Sequence, residues 1–175
     1  TPVREAIRKL ELEGFVTMVP RRGVQVASLS VKDIIDVLEI RAALDSLATA
    51  LAAERITNEE LKDLKHVNNQ FASYVEKENL QNLIKKDVEF HEIIYRSSRN
   101  EKLLQITNNL REQVHRFRVI YMKNQSAHKG LVVEHTEILD AIQAKDAERA
   151  AMLARKHIEN QEQAILNSIG KSNLL

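Results

Sequence analysis

Residues 131–158, LVVEHTEILDAIQAKDAERAAMLARKHI, carry the pattern that decides the fold. Leu131, His135, Ile138, Leu139 and Ile142 recur at helical spacing. Ala150, Leu153, Ala154 and His157 do the same and extend the stripe to Ile165. Between the two runs, QAKDAER (143–149) is where the first helix should break, with Asp146 as N-cap of the next. Two helices joined by so short a turn run antiparallel. Residues equidistant from that turn then lie at the same level. His135 is eleven positions before Asp146 and His157 eleven after it. The two imidazoles should therefore face each other, across helix axes about 8–10 Å apart.

Upstream, the same periodicity continues. Ser30 suits the N-cap of a helix whose inward face is Ile34, Val37, Leu38, Leu44, Ala48, Leu51 and Ala52. Thr57 with Glu60 three later has the form of a capping box, followed by Leu61, Leu64, Val67 and Phe71. A third helix is expected over about Asn79–Ser97, and a fourth from about Glu101 with Leu103, Leu104, Thr107, Leu110, Val114, Phe117 and Tyr121 inward. KNQSAHKG (123–130) interrupts it, before the last pair at about 130–144 and 146–168. Six helices with short connections predict an all-α antiparallel bundle.

The N-terminal stretch reads differently. TPVREAIRKLELEGF (1–15) predicts a short helix, with Thr1 as N-cap, Pro2 at the first helical position and Gly14 at the C-terminal end. FVTMV and GVQVA follow, two β-branched runs joined at PRRG (20–23), which predicts a β-hairpin. The boundary with the bundle falls near Ala27–Ser30, giving an N-terminal unit of residues 1–27 and a helical domain of residues 28–175. The first residue is Thr1, inside what reads as a structural element, so a fragment of a longer protein is expected.

Composition sets outer bounds. With 175 residues, 43% of them hydrophobic, the chain can form one good-sized core. It has no cysteine, which excludes a disulfide framework, a thiol nucleophile and a thiolate metal site, and fits a cytoplasmic protein. No apolar run approaches a membrane span, so no membrane partner is expected. The net charge is only +1, unevenly spread. Residues 1–26 hold five basic and three acidic side chains, a net +2, which leaves −1 for the remainder.

The helical phase puts polar groups where apolar ones belong. In DVEFHEII (87–94), Asp87 and His91 lie at i and i+4 on the face that carries Leu80, Leu83, Ile84 and Ile94. With His135 and His157, that makes four polar side chains on the core faces of three helices. His66 and His115 lie beside their stripes and His128 lies in the loop, so these three are read as surface or rim residues. An Asp/His pair one turn apart is commonly an ordinary helical pair. Each buried group left unpartnered, however, would cost on the order of 1–3 kcal/mol, and one divalent cation would satisfy all four. Three imidazoles and one carboxylate suit zinc, nickel, manganese or iron. Arg41 also points inward, in phase with Val37, Leu38 and Leu44, with Asp45 one turn on. It reads either as an internal Arg–Asp pair or as a guanidinium placed for a carboxylate ligand. Arg118, near Val114 and Phe117, is a second candidate of that kind.

Residues 1–29, TPVREAIRKLELEGFVTMVPRRGVQVASL, resemble the recognition helix and wing of the winged helix-turn-helix domain of GntR-family bacterial transcription regulators. The remainder resembles the FCD effector domain of the FadR branch. LEIRAALDSLATALAA (38–53) is similar to its opening helix, and DVEFHEII with His135 and His157 is similar to its metal pattern. The resemblance implies a homodimeric, metabolite-responsive regulator whose bundle binds a divalent transition metal, zinc first among them, and a small organic acid effector. It implies that Asp87, His91, His135 and His157 hold the metal, and Arg41 and Arg118 the effector. It implies that Thr1, Arg4, Arg22 and Gly23 contact operator DNA, the last two in the minor groove. The earlier helices of a winged-helix domain are absent from the sequence, so residues 1–27 alone should bind operator poorly. The competing reading is a metal-dependent enzyme using the Asp/three-His site, since such a site can leave coordination positions open.

Overall fold

The structure, a computed structural model, describes residues 1–27 and 30–172. Helix α1 spans Pro2–Leu12, strand β1 Val16–Val19 and strand β2 Gly23–Val26. The long helices follow: α2 Val31–Arg55, α3 Asn58–Glu76, α4 Leu80–Ser97, α5 Glu101–Met122, α6 His128–Gln143 and α7 Ala147–Ser172. A single 3-10 turn at Gln125–Ala127 leads into α6. The expected boundary at Ala27–Ser30 includes Ser28 and Leu29, which lie outside the described residues.

Side-chain caps start five of the six bundle helices, all but α6. The Ser30 hydroxyl accepts from the Asp33 N–H at 3.1 Å, and the Asp33 carboxylate accepts from the Ser30 N–H at 3.0 Å. Thr57 and Glu60 make the same reciprocal pair, and Arg99 grips Glu60 from the end of α4 at 2.8 Å. Asn79, Asn100 and Asp146 cap α4, α5 and α7. The α6–α7 turn is as tight as the sequence requires. Lys145 adopts a left-handed φ of 57°, and the N–H groups of Lys145 and Asp146 close back on the carbonyls of Ile142 and Ala141. Asp146 then caps α7 at once, which sets the register of the hairpin.

Helix α2 packs mainly along α7 and also touches α4, α5 and α6, while α3 lies across α4 and α6. Two apolar clusters result. One gathers Ala48, Leu64, Val67, Phe90, Ile94, Ile138 and Ile142; the other gathers Ile34, Leu38, Phe71, Leu83, Phe117, Leu131 and Ile158. Phe90 and Phe71, one from each cluster, sandwich the His135 ring.

The N-terminal unit contrasts with this. β1 and β2 form an antiparallel pair with Val16 opposite Val26 and Val19 opposite Gly23. Gly23 takes a φ of 85° that favours glycine. Helix α1 buries none of its residues, although its apolar stripe is clear in sequence.

One expectation fails here. His128 is not a loop or rim residue: it opens α6, is buried, and its Nε2 lies 2.8 Å from the Met122 carbonyl oxygen. The 3-10 turn folds the chain back so that this ring meets the end of α5. A polar loop in the sequence concealed that return.

Candidate metal centre

Three helices converge on a polar knot between the two apolar clusters. Helix α4 supplies Asp87 and His91, α6 supplies His135 and α7 supplies His157. Asp87 and His135 are wholly buried, and His91 and His157 nearly so. A nitrogen from each of the three imidazoles lies within 4.8 Å of the others. The His135 and His157 ring centroids are 5.0 Å apart, as the symmetry about Asp146 requires. Asp87 lies beside this trio: its Oδ1 is 3.4 Å from His135 Nε2 and 4.0 Å from His91 Nε2.

Neighbouring groups set the proton on each ring. His157 Nδ1 lies 2.7 Å from a carboxylate oxygen of Glu134, so Nδ1–H donates and Nε2 keeps its lone pair. His91 Nδ1 lies 3.6 Å from Asp45 and its Nε2 faces Asp87 and Arg41. The His135 ring stacks on Phe90 with centroids 4.2 Å apart, and neither of its nitrogens has a hydrogen-bond partner. Burial, then the charge of Arg41 and the neighbouring His157, hold the His91 pKa well below the ordinary imidazole value. Burial, then His157, bring His135 down to about 3. Burial pushes the Asp87 carboxyl up, but Arg118, His135 and Arg41 together outweigh it and hold it below the ordinary carboxylate value. His91 and His135 are therefore neutral beside an ionised Asp87, the protonation states that metal ligands need.

Two buried guanidiniums flank the knot. Arg118 Nε donates to Asp87 Oδ2, leaving Oδ1 turned toward the imidazoles. Arg41 donates to the Gln161 side-chain oxygen at 2.9 Å and lies 3.4 Å from both Asp45 and His91 Nε2. Asp45 also accepts from the Tyr95 hydroxyl. Gln161 in turn presents its amide nitrogen to His157 Nε2 at 2.9 Å.

The residues fit a cation. Asp87 Oδ1 and both His135 nitrogens are buried without a hydrogen-bond partner, so a carboxylate oxygen and an imidazole lone pair stand unused beside each other. Two atoms each about 2.1 Å from one ion at a tetrahedral angle lie about 3.4 Å apart, which is the Asp87–His135 separation. Glu134 is hydrogen-bonded behind His157, the carboxylate–histidine arrangement that orients an imidazole toward a metal, while Asp45 lies 3.6 Å from His91 Nδ1, beyond hydrogen-bond reach.

A small chamber abuts the knot between α2, α4 and α5. Arg41, Asp45, His91, Tyr95, Val114 and Arg118 are among the residues that line it, and its volume is about 50 Å³. That admits a few waters or the carboxylate end of a short acid. Thr1, Arg4, Arg22 and Gly23 lie elsewhere, on α1 and at the β1–β2 turn, all exposed. His66 and His115 are exposed, as their phase suggests. Glu134 and Gln161 were not identifiable as site residues from sequence. The available signals were only that Gln161 lies four after His157 and Glu134 precedes His135.

The model of the FCD domain matches residues 36–160. The chain is 28% identical over 173 residues to the Nta operon transcriptional regulator of Aminobacter aminovorans, covering 97% of this chain and 79% of that protein. It is 24% identical over 164 residues to the HTH-type transcriptional repressor RspR of Escherichia coli, covering 94% of this chain and 72% of RspR. Among solved structures, E. coli McbR/YncC superposes with a TM-score of 0.83 at 20% identity, over 95% of this chain and 84% of that one. The metal-free FCD domain of the regulator TM0439 superposes with a TM-score of 0.69 at 17% identity, over 82% of this chain and 99% of that one.

Proposed function

Because this chain belongs to the FCD-domain family of GntR-type transcription regulators, which are not enzymes, we propose that its bundle is a metal-dependent sensor of a small carboxylate. Asp87, His91, His135 and His157 hold a divalent transition metal, zinc first among the candidates. The bound metal supplies a Lewis-acidic position for a carboxylate oxygen. The chain's own residues do the rest: Arg41 and Arg118 present buried positive charge to the same chamber, and Glu134 orients the His157 imidazole. The observation that carries this reading is the set of unpartnered buried atoms on Asp87 and His135, which lie just behind His91, the one imidazole of the knot that lines the chamber.

In this reading residues 1–27 are the operator-contacting unit and residues 28–175 the sensor, in a cytoplasmic homodimer. Thr1 and Arg4 begin the helix that enters the major groove; its Thr1 hydroxyl makes no capping bond and is free for DNA. Arg22 and Gly23 form the tip of the wing. A link between the units supports the idea of communication. The Gln113 amide on α5 donates to the Glu13 carbonyl at the end of α1 at 2.8 Å, and Leu110 and Val114 on the same helix line the chamber. An acid that binds one placement of α5 better than another shifts the recognition helices accordingly.

Thermal melts of the zinc-loaded protein against a panel of short carboxylic acids test the sensor reading. At least one acid should raise the Tm by several degrees, and Arg41→Gln should abolish the rise. A panel without effect on the zinc-loaded protein would contradict it.

A further inference from the structure

The chamber beside the polar knot is only the inner end of a longer path. A groove of about 540 Å³ opens between α4 and α5 and shares Val88, Arg111 and Arg118 with the chamber. Its walls are Ile84, Lys85 and Val88 on α4 and Arg111, His115 and Arg118 on α5, with Gln81 at the edge. Among the described residues no carboxylate lines it. The neighbouring groove between α3 and α4 is different: Asp63, Glu89 and Glu92 there offset Lys85, Lys86, Arg96 and Arg111. Both grooves adjoin the chamber, but only the α4–α5 groove reaches Arg118, the partner of Asp87, and only it is lined by basic groups with no acidic one.

The free capacity of its basic groups can be assessed. Lys85 and His115 are exposed and have no hydrogen-bond or ionic partner among the described residues. Arg111 pairs with Glu92 at 2.7 Å, but that arginine side chain is 56% exposed. An ion pair so placed is worth about 0–1 kcal/mol, which a bound anion can displace. Arg118, at the inner end, is committed to Asp87. Lys85 lies six residues before His91 on α4, roughly 9 Å along the helix axis. His115 lies three before Arg118, roughly 4.5 Å along α5.

We propose that the effector is a dianion. Its first carboxylate enters the chamber beside Arg41 and His91, and a second anionic group remains in the α4–α5 groove on Lys85, Arg111 and His115. The inference rests on the carboxylate-sensor reading above and extends it from any short acid to a short acid with two charges. Ile84 and Val88 supply apolar wall for the connecting carbons. A groove lined by one sign of charge also raises the local concentration of such a ligand. The second group is a carboxylate or a phosphate; the recognition chemistry is the same for both.

Isothermal titration of the zinc-loaded protein separates the possibilities. Succinate and glutarate are compared with butyrate and pentanoate, which have the same carbon counts and one charge, and phosphoglycolate represents the phosphate alternative. A dianion should bind at least tenfold more tightly than the matching monoacids. In the double variant Lys85→Gln, His115→Gln, which leaves the chamber lining intact, that advantage should shrink to within about threefold while the monoacid Kd stays unchanged. Both side chains are exposed, so the unchanged monoacid Kd doubles as evidence of an intact fold. Equal binding of mono- and dianions by the unaltered protein overturns the dianion inference and leaves the sensor reading standing. So does a dianion advantage that survives the double substitution, because the groove would not be its source. If no acid binds the zinc-loaded protein, the sensor reading fails and this inference fails with it.

Discussion

The N-terminal unit and the bundle depart from the usual partition of side chains in opposite directions. Helix α1 has a clear apolar stripe of Val3, Ala6, Ile7 and Leu10, yet Val3 is 68% exposed and Leu10 40%. The bundle has apolar residues enough for its core, yet it buries Arg41, Asp45, Asp87, Arg118 and three histidines at its centre. An apolar face left in water forgoes stabilisation but leaves no group unsatisfied. A buried polar atom without a partner costs about 1–3 kcal/mol. The exposed face is therefore tolerated by the folded chain as it stands. The buried knot is a stored cost, which a cation ligated by the same atoms would offset. The two regions teach that exposure marks where a partner surface can be added, and unsatisfied burial marks where a ligand is needed.

The sharpest way to break the contrast is acid. His91 and His135 have folded-state pKa values below the ordinary imidazole value. The unfolded chain therefore takes up protons first, and stability rises with pH across the interval between the two states. The metal-free protein should be stable above about pH 6.5 and weaken progressively toward the value of about 3 for His135. Asp87, whose pKa is also depressed, adds its loss as the pH falls below about 4. Circular dichroism melts across this range check the direction; a chelated protein equally stable at pH 7 and pH 4.5 would refute it.

Asp87→Ala should be the most damaging single substitution. It leaves the Arg118 guanidinium buried without its partner, a change that costs about 3–5 kcal/mol. Urea unfolding of the metal-free variant measures it, and a loss under 1 kcal/mol would mean that the pair does little. Glu134→Gln is milder. It weakens the hold on His157 Nδ1 and should reduce zinc affinity by about 10–100-fold, read by competition with a zinc chelator; full affinity in the variant would contradict the role given to Glu134. Leu12→Ser, on the exposed side of the comparison, should shift stability by no more than about 0.5 kcal/mol. A larger loss would show that α1 is covered in solution.

Much of this was legible beforehand, for physical reasons that can be named. Helical period, the Ser30–Asp33 and Thr57–Glu60 capping pairs and the turn at Lys145–Asp146 are local, so sequence carries them. The approach of His135 to His157 is tertiary, yet a two-helix hairpin converts it into a count of residues. The Asp87–Arg118 pair joins α4 to α5, and the lateral placement of those helices depends on packing against α2, which no count supplies. Glu134 and Gln161 carry no mark in the sequence, because a polar residue next to a core histidine, or one turn from it, has the same helical phase whether it faces water or the ring. His128 was misplaced because one 3-10 turn reverses the chain within a polar stretch.

The central claim is that the buried knot is a metal site. Elemental analysis of protein purified without a nickel column tests it directly. The account predicts one divalent transition metal ion per chain, or uptake of one zinc with a rise in Tm. At free zinc a thousandfold above Kd the stabilisation should be about 4 kcal/mol, or roughly 8–16 °C for a chain of this size. A protein that carries and takes up no metal, and whose stability in zinc is unchanged when Asp87, His91, His135 and His157 are all replaced, would contradict it.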